Sequence, residues 1–228
     1  MQDSPHPLDR LQPEQLGSRL PDATGRRKRP KPGERRDQIL QALASMLEQP
    51  GRERITTAAL AARLDVSEAA LYRHFASKAQ MFEGLIEFIE QTLFRLVNHI
   101  VDIAEPPVTG ANFAMGVQKA KRVVTVVIQF SEKNPGMARV MVGDALVFEN
   151  ERLQQRMNQL FDKLESTLKL CLRDATLAID SGTPSADAVV CASLLTAFMS
   201  GRMQRYVRTG YRRSPSENLD LALTQMLG

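Results

Sequence analysis

The chain has 228 residues, of which 43% are hydrophobic and 25% charged. That is enough to build an ordinary globular core, and it excludes a collagen-like, low-complexity or wholly disordered chain. The formal net charge is only +4, so total charge says little about an acidic partner, whereas the distribution of charge says more.

Residues 1–32 read as a disordered basic tail. Prolines fall at positions 5, 7, 13, 21, 30 and 32 and break every apolar period. Between Arg26 and Arg36 stand Arg26, Arg27, Lys28, Arg29, Lys31, Arg35 and Arg36 against one acid, Glu34. Such a run is either a solvated charge cluster or an arm for phosphates. The tail holds no apolar signal core, and no apolar stretch nears the roughly 20 residues of a membrane span, so the expected compartment is the cytoplasm.

A first helix is expected from Glu34 to Gln49, with Ile39, Leu40, Leu43, Met46 and Leu47 on one face and Pro50-Gly51 as its stop. A short second helix starts at Thr56 or Thr57 and carries Leu60, Ala61 and Leu64. Asp65-Val66 turns the chain, and Ser67 caps a third helix that holds Leu71, Tyr72 and Phe75. Ser77-Lys78-Ala79-Gln80 has capping-box spacing and opens a long fourth helix. Met81, Leu85, Phe88, Leu96 and Ile100 follow its face as far as Ile103, before Pro106-Pro107.

The remainder also reads as helical. The segment Gly110–Lys133 contains the β-branched run Val123, Val124, Val126, Val127 and Ile128, which alone could pass for a strand. No other segment offers it a strand partner, so a buried helix is expected. After the turn Asn134-Pro135-Gly136 come helices near Met137–Val142, Phe148–Asp174, Ala186–Thr209 and Glu217–Leu227, with a loop over Asp180–Pro184. Val189, Ala192, Leu195, Phe198 and Met199 form an apolar surface that only a short last helix could cover, which predicts a homodimer through the last two helices. The fold class is all-α, divided into residues 1–32, 33–78 and 79–228.

The span Ile55–Phe75 meets the demands of a helix-turn-helix. Small residues, Ala58, Ala59, Ala61 and Ala62, let two short helices cross closely. Thr56, Thr57 and Ser67 stand at helix starts, where free N–H groups and hydroxyls meet phosphates. Ala69 and Ala70 let the second helix sink into the major groove, and Tyr72, Arg73 and His74 offer donors to phosphates or base edges. Lys78 can hold the DNA backbone. A helical hairpin packed inside a core is the competing reading, but it would have to bury Arg73, His74 and Lys78.

Leu71-Tyr72-Arg73-His74-Phe75 followed by Ser77-Lys78 resembles the signature of TetR-family regulators. Further stretches resemble the nucleoid occlusion factors of that family. They are Arg54–Thr57, Val66–Phe75, Leu85–Glu90, Asn134–Gly136, Ala145–Glu149, Arg152–Gln154 and Asn158–Phe161. This resemblance implies a TetR-like fold, with an N-terminal three-helix DNA-binding domain and a C-terminal helical dimerisation domain. It also implies a homodimer on palindromic double-stranded DNA that antagonises the tubulin-like division protein FtsZ over the nucleoid. Phe88 and Asn134 match positions used against FtsZ in such proteins, and Lys133 stands where they carry arginine. Leu96 and Gln129 depart from the residues expected on that surface. Phe88 can equally be a core position, and Asn134 can be explained by its turn.

A ligand-responsive TetR-type transcriptional repressor would use the same DNA chemistry, with a pocket in its C-terminal domain. That domain offers few polar anchors for a ligand. Catalysis is not expected. His6, His74 and His99 are scattered, Cys171 and Cys191 lie in separate apolar patterns, and no Gly-rich phosphate loop or metal-ligand spacing occurs. No cofactor, metal or small ligand is expected.

Overall fold

The computed structural model describes residues 34–49, 55–102, 112–178 and 182–228. The expected tail over 1–32, the stop at Pro50-Gly51 and the break at Pro106-Pro107 lie outside the described residues.

The described chain is helical, as expected from its periodicity. Helix α1 spans Glu34–Leu47 and buries Ile39, Leu40, Leu43, Ala44 and Leu47, while Glu34 and Asp37 in its first turn suit the positive end of the helix dipole. Helices α2 (Thr57–Arg63) and α3 (Glu68–Tyr72) follow, then α4 (Lys78–Asp102). Helix α5 runs over Asn112–Lys133 and α6 over Pro135–Met141, and a 3₁₀ turn occupies Asp144–Leu146. Helices α7 (Glu151–Ala178), α8 (Pro184–Arg208) and α9 (Leu219–Leu227) complete the chain.

Helix α5 is the central element. It packs against α4, α6, α7, α8 and α9, and Val123, Val124, Val127 and Ile128 are fully buried. A helix covered on so many sides needs no polar face, which is why its β-branched run mimics a strand. Lys119 Nζ donates to Val101 O at 2.8 Å, so the start of α5 lies beside the end of α4 and the two helices run antiparallel.

Two expectations change here. The helix expected from Phe148 begins at Glu151, because the 3₁₀ turn and the segment after it leave Val147 and Phe148 exposed. The apolar surface expected to mediate dimerisation also divides. Ala192, Leu195 and Met199 are fully buried within the protomer, in a stripe with Ala188 and Met203, while Val189, Val190, Leu194 and, on α7, Leu170 face outward. Helix α8 carries two apolar faces, and periodicity alone does not say which one meets the core. With 25 residues it is also long and apolar enough, by length and composition, to cross a membrane, which corrects the reading that no stretch comes close. Its buried stripe packs on α5, α6 and α7. Cys171 is buried and Cys191 half-buried, and neither is in a disulfide.

The C-terminal end of α1 is clamped to the rest of the fold. Arg139 of α6, 8% exposed, donates through Nη1 to Leu47 O at 3.2 Å and Gln49 O at 3.4 Å. Its Nε reaches Asp144 Oδ2 at 2.7 Å. A cation at that position suits the negative end of the helix dipole. The Tyr211 hydroxyl also donates to Leu47 O, at 3.2 Å, and the Tyr206 hydroxyl donates to Glu132 O at 3.1 Å. Burial pushes both phenols above the ordinary tyrosine range, so both remain donors.

Candidate nucleic-acid interface

Thr56 caps α2, its Oγ1 accepting from Ala59 N at 3.1 Å. The chain leaves α2 through Asp65, which has φ 53°. Aspartate is among the few non-glycine residues that tolerate this left-handed turn. Val66 N then bonds Ala61 O at 3.0 Å and closes the turn. Ser67 caps α3, its Oγ accepting from Ala70 N at 3.3 Å. Helix α3 is too short to persist on propensity alone. It is held by Leu71, which is fully buried, and by Phe75, which is 2% exposed. These anchors turn Ala69, Tyr72, Arg73 and His74 outward, all exposed, with Ala70 half-buried and Ser67 exposed beside them. The competing hairpin-in-a-core reading fails here, because the residues it would have to bury at 73 and 74 stand in solvent.

Because the Ser67 hydroxyl caps α3, Ser67→Ala is expected to cost about 1 kcal/mol of stability. Thermal unfolding checks this, and a melting point equal to that of the unsubstituted chain contradicts it.

Two residues placed on the DNA face have partners inside the protein. Thr57 Oγ1 donates to Glu68 Oε2 at 2.5 Å, tying the start of α2 to the start of α3. Lys78 Nζ lies 2.5 Å from Glu149 Oε1 and 5.6 Å from the centre of the Phe82 ring. Neither Glu68 nor Glu149 emerges from the sequence pattern as a site residue. Ser77 caps α4 as its spacing predicts, while the return bond from Gln80 goes to the residue before the cap. Ser77 Oγ accepts from Gln80 N at 3.1 Å, and Gln80 Oε1 accepts from Ala76 N at 2.8 Å. Of the basic arm, Arg35 and Arg36 belong to α1, and the Arg36 guanidinium sits 4.6 Å over the Phe75 ring, directly behind the exposed face.

The residues assigned by resemblance to a partner face occupy α4 and the end of α5. Phe88 is 36% exposed, outside the buried α4 stripe of Met81, Phe82, Leu85, Ile86, Ile89 and Leu93. Its side chain is therefore not core filler. Lys133 is the last residue of α5 and is exposed. Measured from the Val101–Lys119 contact, Phe88 and Lys133 both lie about 20 Å along their antiparallel helices, at 1.5 Å per residue. Asn134 differs, because its Nδ2 donates to Phe130 O at 2.8 Å, so its side chain already serves the turn. Between α7 and α8 runs an open groove of about 580 Å³, lined by Gln154, Asn158, Phe161, Asp162, Ser200 and Gln204 among others.

The family described as "Bacterial regulatory proteins, tetR family" matches residues 39–85, and "Tetracyclin repressor-like, C-terminal domain" matches residues 116–227. The nucleoid occlusion factor SlmA of Photobacterium profundum is 46% identical over 82% of this chain and 90% of its own length. The protein of the same name from Marinomonas sp. is 48% identical, with the same coverage. Among solved structures, the fatty acid degradation regulator FadR of Bacillus halodurans superposes with a TM-score of 0.67 at 16% identity, over 88% of this chain and 97% of that one. AibR, solved with isovaleryl coenzyme A and operator DNA, gives a TM-score of 0.64 at 15% identity, over 85% of this chain and 98% of its own. At such identities these two structures share the fold.

Proposed function

The chain belongs to the SlmA family of nucleoid occlusion factors, within the TetR-type DNA-binding regulators, and from that membership we propose that it binds palindromic chromosomal DNA as a homodimer and restrains FtsZ assembly over the nucleoid. The observation that carries the DNA reading is the outward set Ala69, Tyr72, Arg73 and His74 on a capped helix, held from behind by buried Leu71 and Phe75. Small residues on that face let the helix approach the groove floor, while the donors beside them meet base edges and phosphates. The working place of such a protein is the cytoplasm, on the nucleoid.

Dimerisation uses the outward face of α8. Val190 is 58% exposed, Leu194 56% and, on neighbouring α7, Leu170 55%, and so much exposed large apolar surface on two adjacent helices favours self-association. A two-fold dimer sets its reading helices about one DNA turn, roughly 34–36 Å, apart. The FtsZ-facing surface lies on α4 and the end of α5, where exposed Phe88 supplies an apolar anchor and Lys133 a cation. Asn134 acts there through the geometry of its turn.

The two faces separate by mutation. Tyr72→Ala and Arg73→Ala are each expected to weaken operator duplex binding by about 1–3 kcal/mol, roughly tenfold to a hundredfold. Lys133→Asp leaves duplex affinity unchanged and reduces the capture of an FtsZ tail peptide. Fluorescence anisotropy with labelled duplex and labelled peptide reads both. Unaltered duplex binding by Tyr72→Ala and Arg73→Ala would overturn the assignment of the reading face.

A further inference from the structure

We infer that the loop after α8 extends the partner-facing surface. Arg212 and Arg213, seated beside Lys133, form with it a preformed site for a carboxylate-bearing segment of FtsZ. The inference rests on the reading of Lys133 as an FtsZ-facing residue.

The loop is fastened to the end of α5. Glu132, the residue before Lys133, accepts at one carboxylate oxygen from the Ser214 hydroxyl and at the other from the Ser216 hydroxyl, the latter at 2.6 Å. From α8, Arg202 donates through Nη1 to Pro215 O at 3.1 Å and to Glu217 O at 2.5 Å. The chain reaches these anchors through two consecutive left-handed residues, Gly210 at φ 60° and Tyr211 at φ 64°. Glycine adopts that conformation freely, whereas a bulky tyrosine does so only where its surroundings hold it. Here the Tyr211 hydroxyl bonds Leu47 O, and its ring packs on Tyr206 with centroids 5.2 Å apart. A loop tied at so many points presents its outward side chains in a fixed place, which lowers the ordering cost of binding.

Those side chains are cationic. Arg212 and Arg213 are exposed, as is Lys133. The two arginines run directly into Ser214, and Lys133 directly follows Glu132, so the serine–glutamate bonds gather three cations around one carboxylate. That carboxylate is engaged by hydroxyls, and among the described residues none of the three cations is in an ion pair. Arg212 Nε donates to Thr209 O at 3.0 Å, which accounts for its place at the end of α8 but not for the two cations beside it. Guanidinium forks next to an ammonium group suit carboxylates, which an arginine grips through two parallel bonds. DNA is the less suited anion. Arg36, near the start of α1, backs the reading helix through Phe75, whereas Tyr211 bonds the other end of α1, about 16 Å further along.

Arg213→Gln and Arg212→Gln/Arg213→Gln test this in the full-length protein. At low salt, affinity for a labelled FtsZ tail peptide is expected to fall about threefold in the single variant and about tenfold in the double, with operator affinity unchanged. A second peptide, with its Asp and Glu replaced by Asn and Gln, should bind the unsubstituted protein more weakly than the first. The double variant should hardly distinguish the two peptides, because the groups that read the carboxylates are gone. Equal peptide affinity in the double variant and the unsubstituted protein, with Lys133→Asp still weakening capture, overturns this inference and leaves the FtsZ reading standing. A double variant that loses duplex affinity and keeps peptide affinity assigns the loop to DNA and also overturns it. If neither Lys133→Asp nor the double variant altered peptide capture, the FtsZ reading of this end of α5 would itself fall, and this inference with it.

Discussion

Gly136→Ala is expected to lower stability by about 3 kcal/mol or more, at the upper end of what overpacking costs. A Cβ on Gly136 would lie 2.1 Å from Ala44 O and 3.0 Å from Ala44 C. Both are backbone atoms of α1, so no side chain can rotate away to make room. The first turn of α6 must back off from α1, and the Arg139 bonds to Leu47 O and Gln49 O lengthen with it. For a chain of this size each kcal/mol shifts the melting point by roughly 2–4 °C, so a loss of about 6 °C or more is expected. A shift under about 2 °C would mean that the close approach of α1 and α6 is looser than the structure shows.

Arg139→Met is the second large effect, expected at about 2–3 kcal/mol. It removes the cation from Asp144 and two donated bonds from the end of α1. Asp144 keeps 35% of its side chain exposed, so the loss falls below that of a fully buried pair. Most of the cost is the stranding of partners, and removing the stranded acid should return part of it. Arg139→Met/Asp144→Asn is therefore expected to be more stable than Arg139→Met alone, by about 1 kcal/mol. Denaturant unfolding of the four proteins in the cycle checks this. Strict additivity would show that the Arg139–Asp144 pair contributes nothing and that the carbonyl bonds carry the whole effect.

These two sites were not legible in the sequence, whereas the reading helix was. The chemistry of the helix-turn-helix is local. Caps at Thr56 and Ser67, small residues through α2 and apolar anchors at Leu71 and Phe75 all act within a few residues of one another. Asn134-Pro135-Gly136 reads as a turn and gives no hint that Gly136 also meets α1. Lys78 reads as free because Glu149 is distant in the chain. Phe88 falls on an apolar period of α4, and only packing reveals that Ile89 rather than Phe88 turns inward. Helix α8 shows the same limit on a larger scale. A helix apolar on two sides has two candidate cores, and the one chosen depends on where α5 and α7 lie.

The SlmA-type role stands or falls most directly on genome-wide mapping of the sites this protein occupies in its own cells. A nucleoid occlusion factor marks the chromosome as a whole, so the expected result is many scattered palindromic sites that thin out around the replication terminus, where the septum must eventually close. One site, or a small cluster beside the protein's own gene, would contradict that role and make the chain a local TetR-type repressor.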